Sequence, residues 1–352
     1  MNYLEHPHLK PLVPLLTDPS VSEIMINGPS TLFVERKGQM ELAPPIFTSS
    51  VHLDMCMDSL IGFSGRAINA SQPFVDFRLP DGSRVNIVIA PVALDGPVIT
   101  IRRAVRSIKR LDDIVRTNAL TPRMAKFLQV AVASHCNIVF SGGAGSGKTT
   151  LLAMLSESID PSERIIVMED TAELDIQKPH VIRMECRPPN IEGQGRIVLA
   201  ELLKNSLRMR PTRIIVGEVR GEEAFDLLSA FSSGHEGGFA VLHASSPMQA
   251  VSRLEMMVLA RGLPYPLWAI QNQIGAGIDF IVQQAQLPDG TRKVTNITAV
   301  QGTANDSVTL EDIFHWDFDE QRFMTDGHLP ACLAKMRRIM PNIADMLGAG
   351  PA

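Results

Sequence analysis

The eight residues Gly142-Gly143-Ala144-Gly145-Ser146-Gly147-Lys148-Thr149 fit the spacing G-x-x-x-x-G-K-[ST] without a gap. The chemistry this pattern serves is the cradling of phosphates. Glycines let backbone N–H groups turn toward phosphate oxygens, and a following helix adds the positive end of its dipole. Lys148 is expected to reach the outer phosphates and Thr149 to hold Mg²⁺, with Thr150 beside it. A chance glycine turn would not need a buried strand before it and a helix after it. Here Asn137-Ile138-Val139-Phe140-Ser141 reads as such a strand, and Thr150–Leu155 reads as the helix.

A phosphate loop alone does not move a phosphoryl group. That step needs a metal anchor, a group that orients the attacking water, and cations facing the developing charge. Arg213-Ile214-Ile215-Val216-Gly217-Glu218 is an apolar strand ending in a carboxylate, the Walker B pattern, so Glu218 is expected to serve the metal shell. Its bland alternative is a cap on the helix that Gly221-Glu222-Glu223 opens. Arg164–Asp170 has the same form and offers Glu169, with Glu173 shortly after. It is expected to lie between the phosphate-loop strand and the Glu218 strand. The strand Phe239–His243 would put His243 on the same edge, and His235 was expected to join it there. No third ligand stands at zinc spacing from these histidines. Arg208 and Arg210 end a helix and Arg220 follows Glu218. Such arginines are dipole partners or surface charges, or cations offered across a subunit interface.

The elements that must position these groups alternate. Strands are expected at 137–141, 164–168, 213–217, 239–243 and 278–283, with helices near 149–158, 199–209, 222–232 and 247–260. Alternation of this kind implies a mainly parallel sheet covered on both faces. Residues 1–104 read as a smaller α/β domain. Its strands are at 22–27, 31–36, 74–79, 84–89 and 98–101, and Val51–Ile61 forms its helix. A basic linker spans 105–117 and the larger domain spans 118–352, ending in a helical tail near 329–348.

At 352 residues the chain accommodates roughly two domains. Its net charge of −5 and its 5% aromatic content argue against a nucleic-acid-binding surface, so no direct nucleic-acid partner is expected. Cys56, Cys136, Cys186 and Cys332 are far apart and form no C-x-x-C. They read as buried thiols of a reducing compartment, not as a disulfide framework or a zinc site. The first 20 residues carry four prolines and no signal-peptide pattern, and no apolar run is long enough to span a membrane. The expected location is cytoplasmic.

Together these motifs resemble the ATPases of bacterial type II and type IV secretion and pilus assembly, over almost all of residues 15–300. Glu169-Asp170-Thr171-Ala172-Glu173-Leu174 is similar to their acidic box. Leu207–Pro211 leading into Ile214–Arg220 is similar to their Walker B region, and Gly234-His235-Glu236 through Ser245 to their histidine box. Arg187-Pro188-Pro189-Asn190-Ile191-Glu192-Gly193 resembles the branch that drives tight-adherence (Tad) pili, as does the segment Val21–Pro29. The resemblance implies a RecA-like ATPase domain behind a smaller, PAS-like α/β domain. It implies a homo-hexamer that hydrolyses ATP with Mg²⁺ and acts on integral inner-membrane platform proteins, peripheral to that membrane. It also implies that Arg102 reaches the nucleotide from the N-terminal domain, the alternative for Arg102 and Arg103 being a solvated linker. The chain departs from the family pattern at Thr212, where Asp often stands, and it begins close to its first domain. A nucleic-acid translocase is the more distant reading. No Asn-Lys-x-Asp motif supports a guanine-nucleotide switch.

Overall fold

The computed structural model describes residues 3–36, 38–103, 110–187, 189 and 194–352. The chain divides into two units, Met1–Ser107 and Ile108–Ala352. In the first unit the elements run α1 (Val13–Thr17), β1 (Val21–Asn27), β2 (Thr31–Arg36), β3 (Gln39–Ala43), α2 (Ser50–Gly62), β4 (Phe74–Arg78), β5 (Arg84–Val88) and β6 (Val98–Arg102). The strands form one sheet in the order β3-β2-β1-β6-β5-β4, antiparallel at every pairing. Alternating residues explain this. Ile24 and Ile26, Leu32 and Val34, Val85 and Ile87, and Ile99 and Ile101 are buried with Leu53, Cys56 and Leu60 of α2. The Ser49 hydroxyl accepts from the His52 N–H at 3.2 Å and starts α2. The edge strand β3, with Met40 and Leu42 exposed, was not anticipated from the sequence.

The second unit holds α3 (Leu111–Arg116), α4 (Pro122–Ala133), β7 (Ile138–Gly142), α5 (Lys148–Leu155), β8 (Ile165–Glu169), β9 (Val181–Glu185), α6 (Leu199–Ser206), β10 (Arg213–Val219), α7 (Glu223–Ser232), β11 (Phe239–Leu242), α8 (Pro247–Ala260), α9 (Leu267–Gly277), β12 (Phe280–Gln286), β13 (Arg292–Ala304), β14 (Ser307–Asp317), β15 (Arg322–Thr325), α10 (Leu333–Arg337) and β16 (Gly350–Pro351). Its sheet runs β16-β15-β14-β13-β12-β7-β11-β10-β8-β9. Pairing is parallel from β12 to β9 and antiparallel from β12 outward to β16. The strand cores are apolar because both faces are covered. Ile138 and Phe140 of β7 join one core with α4 and α5, while Val139 joins the other with α7, α8 and α9.

Two expectations change. The strand of Glu169, β8, does not lie between β7 and β10; β11 does, and β8 sits beyond β10. Residues 105–109 of the expected linker lie outside the described residues, but 111–116 are helical, with Leu111 and Ile114 buried in the core of the second unit. Near 329–348 the chain forms α10 and a 3-10 helix at Ile343–Leu347, and residues 292–325 continue the sheet as β13, β14 and β15.

At the start of β10 the Arg213 guanidinium is fully buried and donates to both Glu163 carboxylate oxygens, at 2.6 and 2.8 Å, and to the Gly237 carbonyl at 3.1 Å. Removing one member leaves the other charge buried and unpaired, which costs about 3–5 kcal/mol. Arg213→Met is therefore expected to lose stability of about that size in urea unfolding, and Arg213→Met with Glu163→Met to regain much of it.

Candidate functional site

Gly142 ends β7 with φ +154°, and a Cβ there would lie 2.2 Å from the Gln284 carbonyl oxygen of β12. No other residue fits this turn at so close a backbone approach. The chain then curls back over Gly143–Ser146 into the N-terminus of α5. The Lys148 ammonium is buried and donates to the carbonyls of Gly142 at 3.0 Å and Gly143 at 2.6 Å. The Ser146 hydroxyl donates to the Gly143 carbonyl at 2.9 Å. Two residues that carried no motif complete the loop. Arg292 of β13 donates through Nε to the Gly145 carbonyl at 2.7 Å, and the Gln284 side-chain amide reaches the Ser146 carbonyl at 3.4 Å. They are held by register, not by local spacing, so no sequence motif marks them.

The parallel register carries three further strand ends to the same edge. Ser141 lies opposite Leu242, Leu242 opposite Val219, and Val216 opposite Met168. His243, Glu218 and Glu169 follow from these positions. His243 Nε2 lies 3.0 Å from Glu218 Oε1. Arg220 bonds the other Glu218 oxygen and lies 3.8 Å from Asp170. Burial pushes the Glu218 carboxyl up, but the hydrogen bond and charge of Arg220, with His243 and Lys148, more than offset it, so its pKa falls below the usual range. Burial, then the Lys148 charge, lowers the His243 pKa, so the imidazole is neutral near pH 7. Glu218 does not cap α7. At the entry to α7 it is Glu223 whose Oε1 accepts from the N–H groups of Arg220 and Gly221, at 2.5 and 2.8 Å.

Glu169 behaves differently. It is 3% exposed, and one oxygen accepts from the N–H groups of Glu173 and Leu174 at 2.8 and 2.9 Å. Burial raises its pKa against those bonds and the charge of Arg183. A Cβ on Gly217 would lie 2.5 Å from the Glu169 Cγ, so the glycine before Glu218 makes room for Glu169. Glu169 thus fixes the turn that presents Glu173, whose own side chain is exposed.

The donor set fits phosphates and a hard divalent cation. Lys148 and the start of α5 face the loop, Thr149 and Glu218 offer oxygens, and Ser141 Oγ, Glu169 Oε2 and Gln284 Oε1 are buried with no hydrogen-bond partner among the described residues. Other candidates lie elsewhere. Arg208 and Arg210 are exposed just before β10, at the sheet edge opposite the phosphate loop. His235 precedes β11 at that same far edge, so the two histidines do not share an edge as expected. Arg102 is exposed on β6 of the first unit, paired in register with Glu23 and Arg84. Arg103 is not a solvated linker residue: its guanidinium bonds the Asp18 carbonyl and, at 2.8 Å, the Val21 carbonyl. Of the stretch 187–193, Pro188 and residues 190–193 lie outside the described residues.

A family model described as "Type II/IV secretion system protein" matches residues 5–309. A putative conjugal transfer protein of Mycobacterium tuberculosis is 31% identical over 312 residues, covering 87% of this chain and 88% of the relative. The type IV secretion system protein PtlH of Bordetella pertussis is 34% identical over 303 residues, covering 78% and 88%. Among solved structures, the ATPase DotB of Legionella pneumophila superposes with a TM-score of 0.56 at 19% identity, over 95% of this chain and 86% of that one, a likeness of fold. No helix among the described residues is long and apolar enough to cross a membrane.

The raised Glu169 carboxyl has a pH signature. The folded chain holds this proton to higher pH than the unfolded chain does, so its contribution is full below the ordinary carboxylate range. It is lost as pH rises through the raised value. Glu169→Gln keeps an acceptor for both N–H groups and does not titrate. Its stability relative to the parent is expected to rise between about pH 4 and about pH 8 in denaturant unfolding, and a flat difference would show that burial does not shift this group.

Proposed function

We propose an activity on one premise: the chain belongs to the family of type II/IV secretion system proteins. The activity is hydrolysis of ATP at the Gly142–Thr149 loop, coupled as a homo-hexameric motor to a machine in the bacterial inner membrane. The observation that carries it is the convergence of Lys148, Glu218 and His243 on one sheet edge, with His243 Nε2 3.0 Å from Glu218 Oε1 and the Lys148 charge felt by both.

In this reading Lys148 and the N–H groups at the start of α5 bind the outer phosphates. A bound Mg²⁺, held by Thr149 and Glu218, would neutralise charge on them. Glu218, kept ionised, accepts the proton of the attacking water, and His243 and Arg220 hold its carboxylate in place. Glu169 is a positioning residue: it fixes the turn bearing Glu173. Arg208 and Arg210, being exposed and remote from their own loop, are suited to a neighbouring subunit's phosphates. The partners are platform proteins of the inner membrane, which the chain meets as a peripheral component.

The narrower assignment is assembly or retraction of a Tad-type pilus, supported by the wording of residues 187–193 and 21–29. A second reading is export or conjugal transfer, favoured by what the relatives are called. Loss of the chain from its host removes surface pili under the first and spares them while ending transfer under the second.

Purified parent chain is expected to release phosphate from ATP with Mg²⁺, and Lys148→Ala to do so about 100- to 1,000-fold more slowly. Equal rates in the two proteins would reject the hydrolytic reading.

A further inference from the structure

At the sheet edge opposite the phosphate loop, three side chains from distant parts of the chain meet. Cys136 precedes β7 and is fully buried, Asp279 precedes β12, and Cys332 caps α10. The two sulfurs are 3.9 Å apart, and the ligand atoms of all three residues lie within 4.8 Å of one another. We propose that Cys136, Cys332 and Asp279 form a site for one thiolate-preferring divalent cation of the zinc class, tying the C-terminal segment to the base of the sheet.

The distances suit that ion. Two sulfurs each about 2.3 Å from a tetrahedral zinc lie about 3.8 Å apart, close to the spacing already present without any metal. A disulfide would instead need the sulfurs to close to about 2.05 Å. The ligand set is soft sulfur with one carboxylate, which selects zinc over calcium or magnesium. The backbone supports the third ligand. Asp279 Oδ2 accepts from the Asn137 N–H at 2.7 Å, and the Asn137 side chain ties the same region to Gly238 at 2.8 Å and to Gly277 at 2.7 Å. The carboxylate is therefore oriented by a rigid second layer. Binding replaces two S–H protons by two metal–sulfur bonds and releases both protons to solvent.

One group opposes the cation. The Lys335 ammonium lies 3.7 Å from Asp279 Oδ2, but it also faces Glu236 at 3.3 Å and can keep that partner when a metal takes the carboxylate. Lys335 therefore tunes affinity without supplying a ligand. Sequence spacing gives no hint of this cluster, because Cys136 and Cys332 stand 196 positions apart and only the fold brings their sulfurs to 3.9 Å.

The test uses the full chain, stripped with a chelator under reductant and titrated with Co²⁺ as a spectroscopic stand-in for zinc. One equivalent is expected to give a thiolate-to-cobalt charge-transfer band, displaced by Zn²⁺ and raising the melting temperature. Cys332→Ser, at a partly exposed position, should lose the band while folding normally by circular dichroism. Lys335→Gln should bind several-fold more tightly. Absence of the band in the parent, its persistence in Cys332→Ser, or two thiols missing from a thiol count of the unreduced metal-free chain would each overturn the site, the last in favour of a disulfide.

Discussion

Parallel pairing of four strands buried on both faces is the constraint on which the site depends. Adjacent strands lie about 4.8 Å apart, so a group at the C-terminal end of each falls within reach of the next. The register places the ends of β7, β11 and β10 nearly level, and these ends carry Gly142, His243 and Glu218. Shifting one strand by a residue would turn its end group to the other face of the sheet. The two apolar cores that fix the register are therefore also what aim the groups proposed to act in hydrolysis.

Within that edge the two acids are pushed in opposite directions by their surroundings. Glu218 gains Arg220, His243 and Lys148 and stays ionised, whereas Glu169 lies deeper, carries two backbone N–H bonds and titrates high. Environments that drive two carboxyls apart divide the work between them. Gly217 joins the two. It gives Glu169 the space to cross β10, and its neighbour Glu218 faces the loop.

The strand cores and the phosphate loop were legible because apolar runs, glycine spacing and a following helix are local signals. The limits of α8 came directly from Ser246, Pro247 and the apolar spacing behind them. Sheet order was not legible. A strand apolar on both faces carries no mark of its neighbours, so β8 was set beside β7 when β11 belongs there. For the same reason Arg292 and Gln284, which steady the loop from β13 and β12, went unseen. Helix α4 carries a local signal too, the cap Thr121 with Pro122 behind it. The pairing of Cys136 with Cys332 depends wholly on tertiary contact.

In the proposed mechanism Glu218, not Glu169, handles the water. The most direct measurement compares ATP binding and single-turnover phosphate release in Glu218→Gln and Glu169→Gln. The account predicts that Glu218→Gln binds ATP as the parent does but releases phosphate at least about 100-fold more slowly, while Glu169→Gln retains the larger share of the rate. Parent-like phosphate release by Glu218→Gln would contradict it.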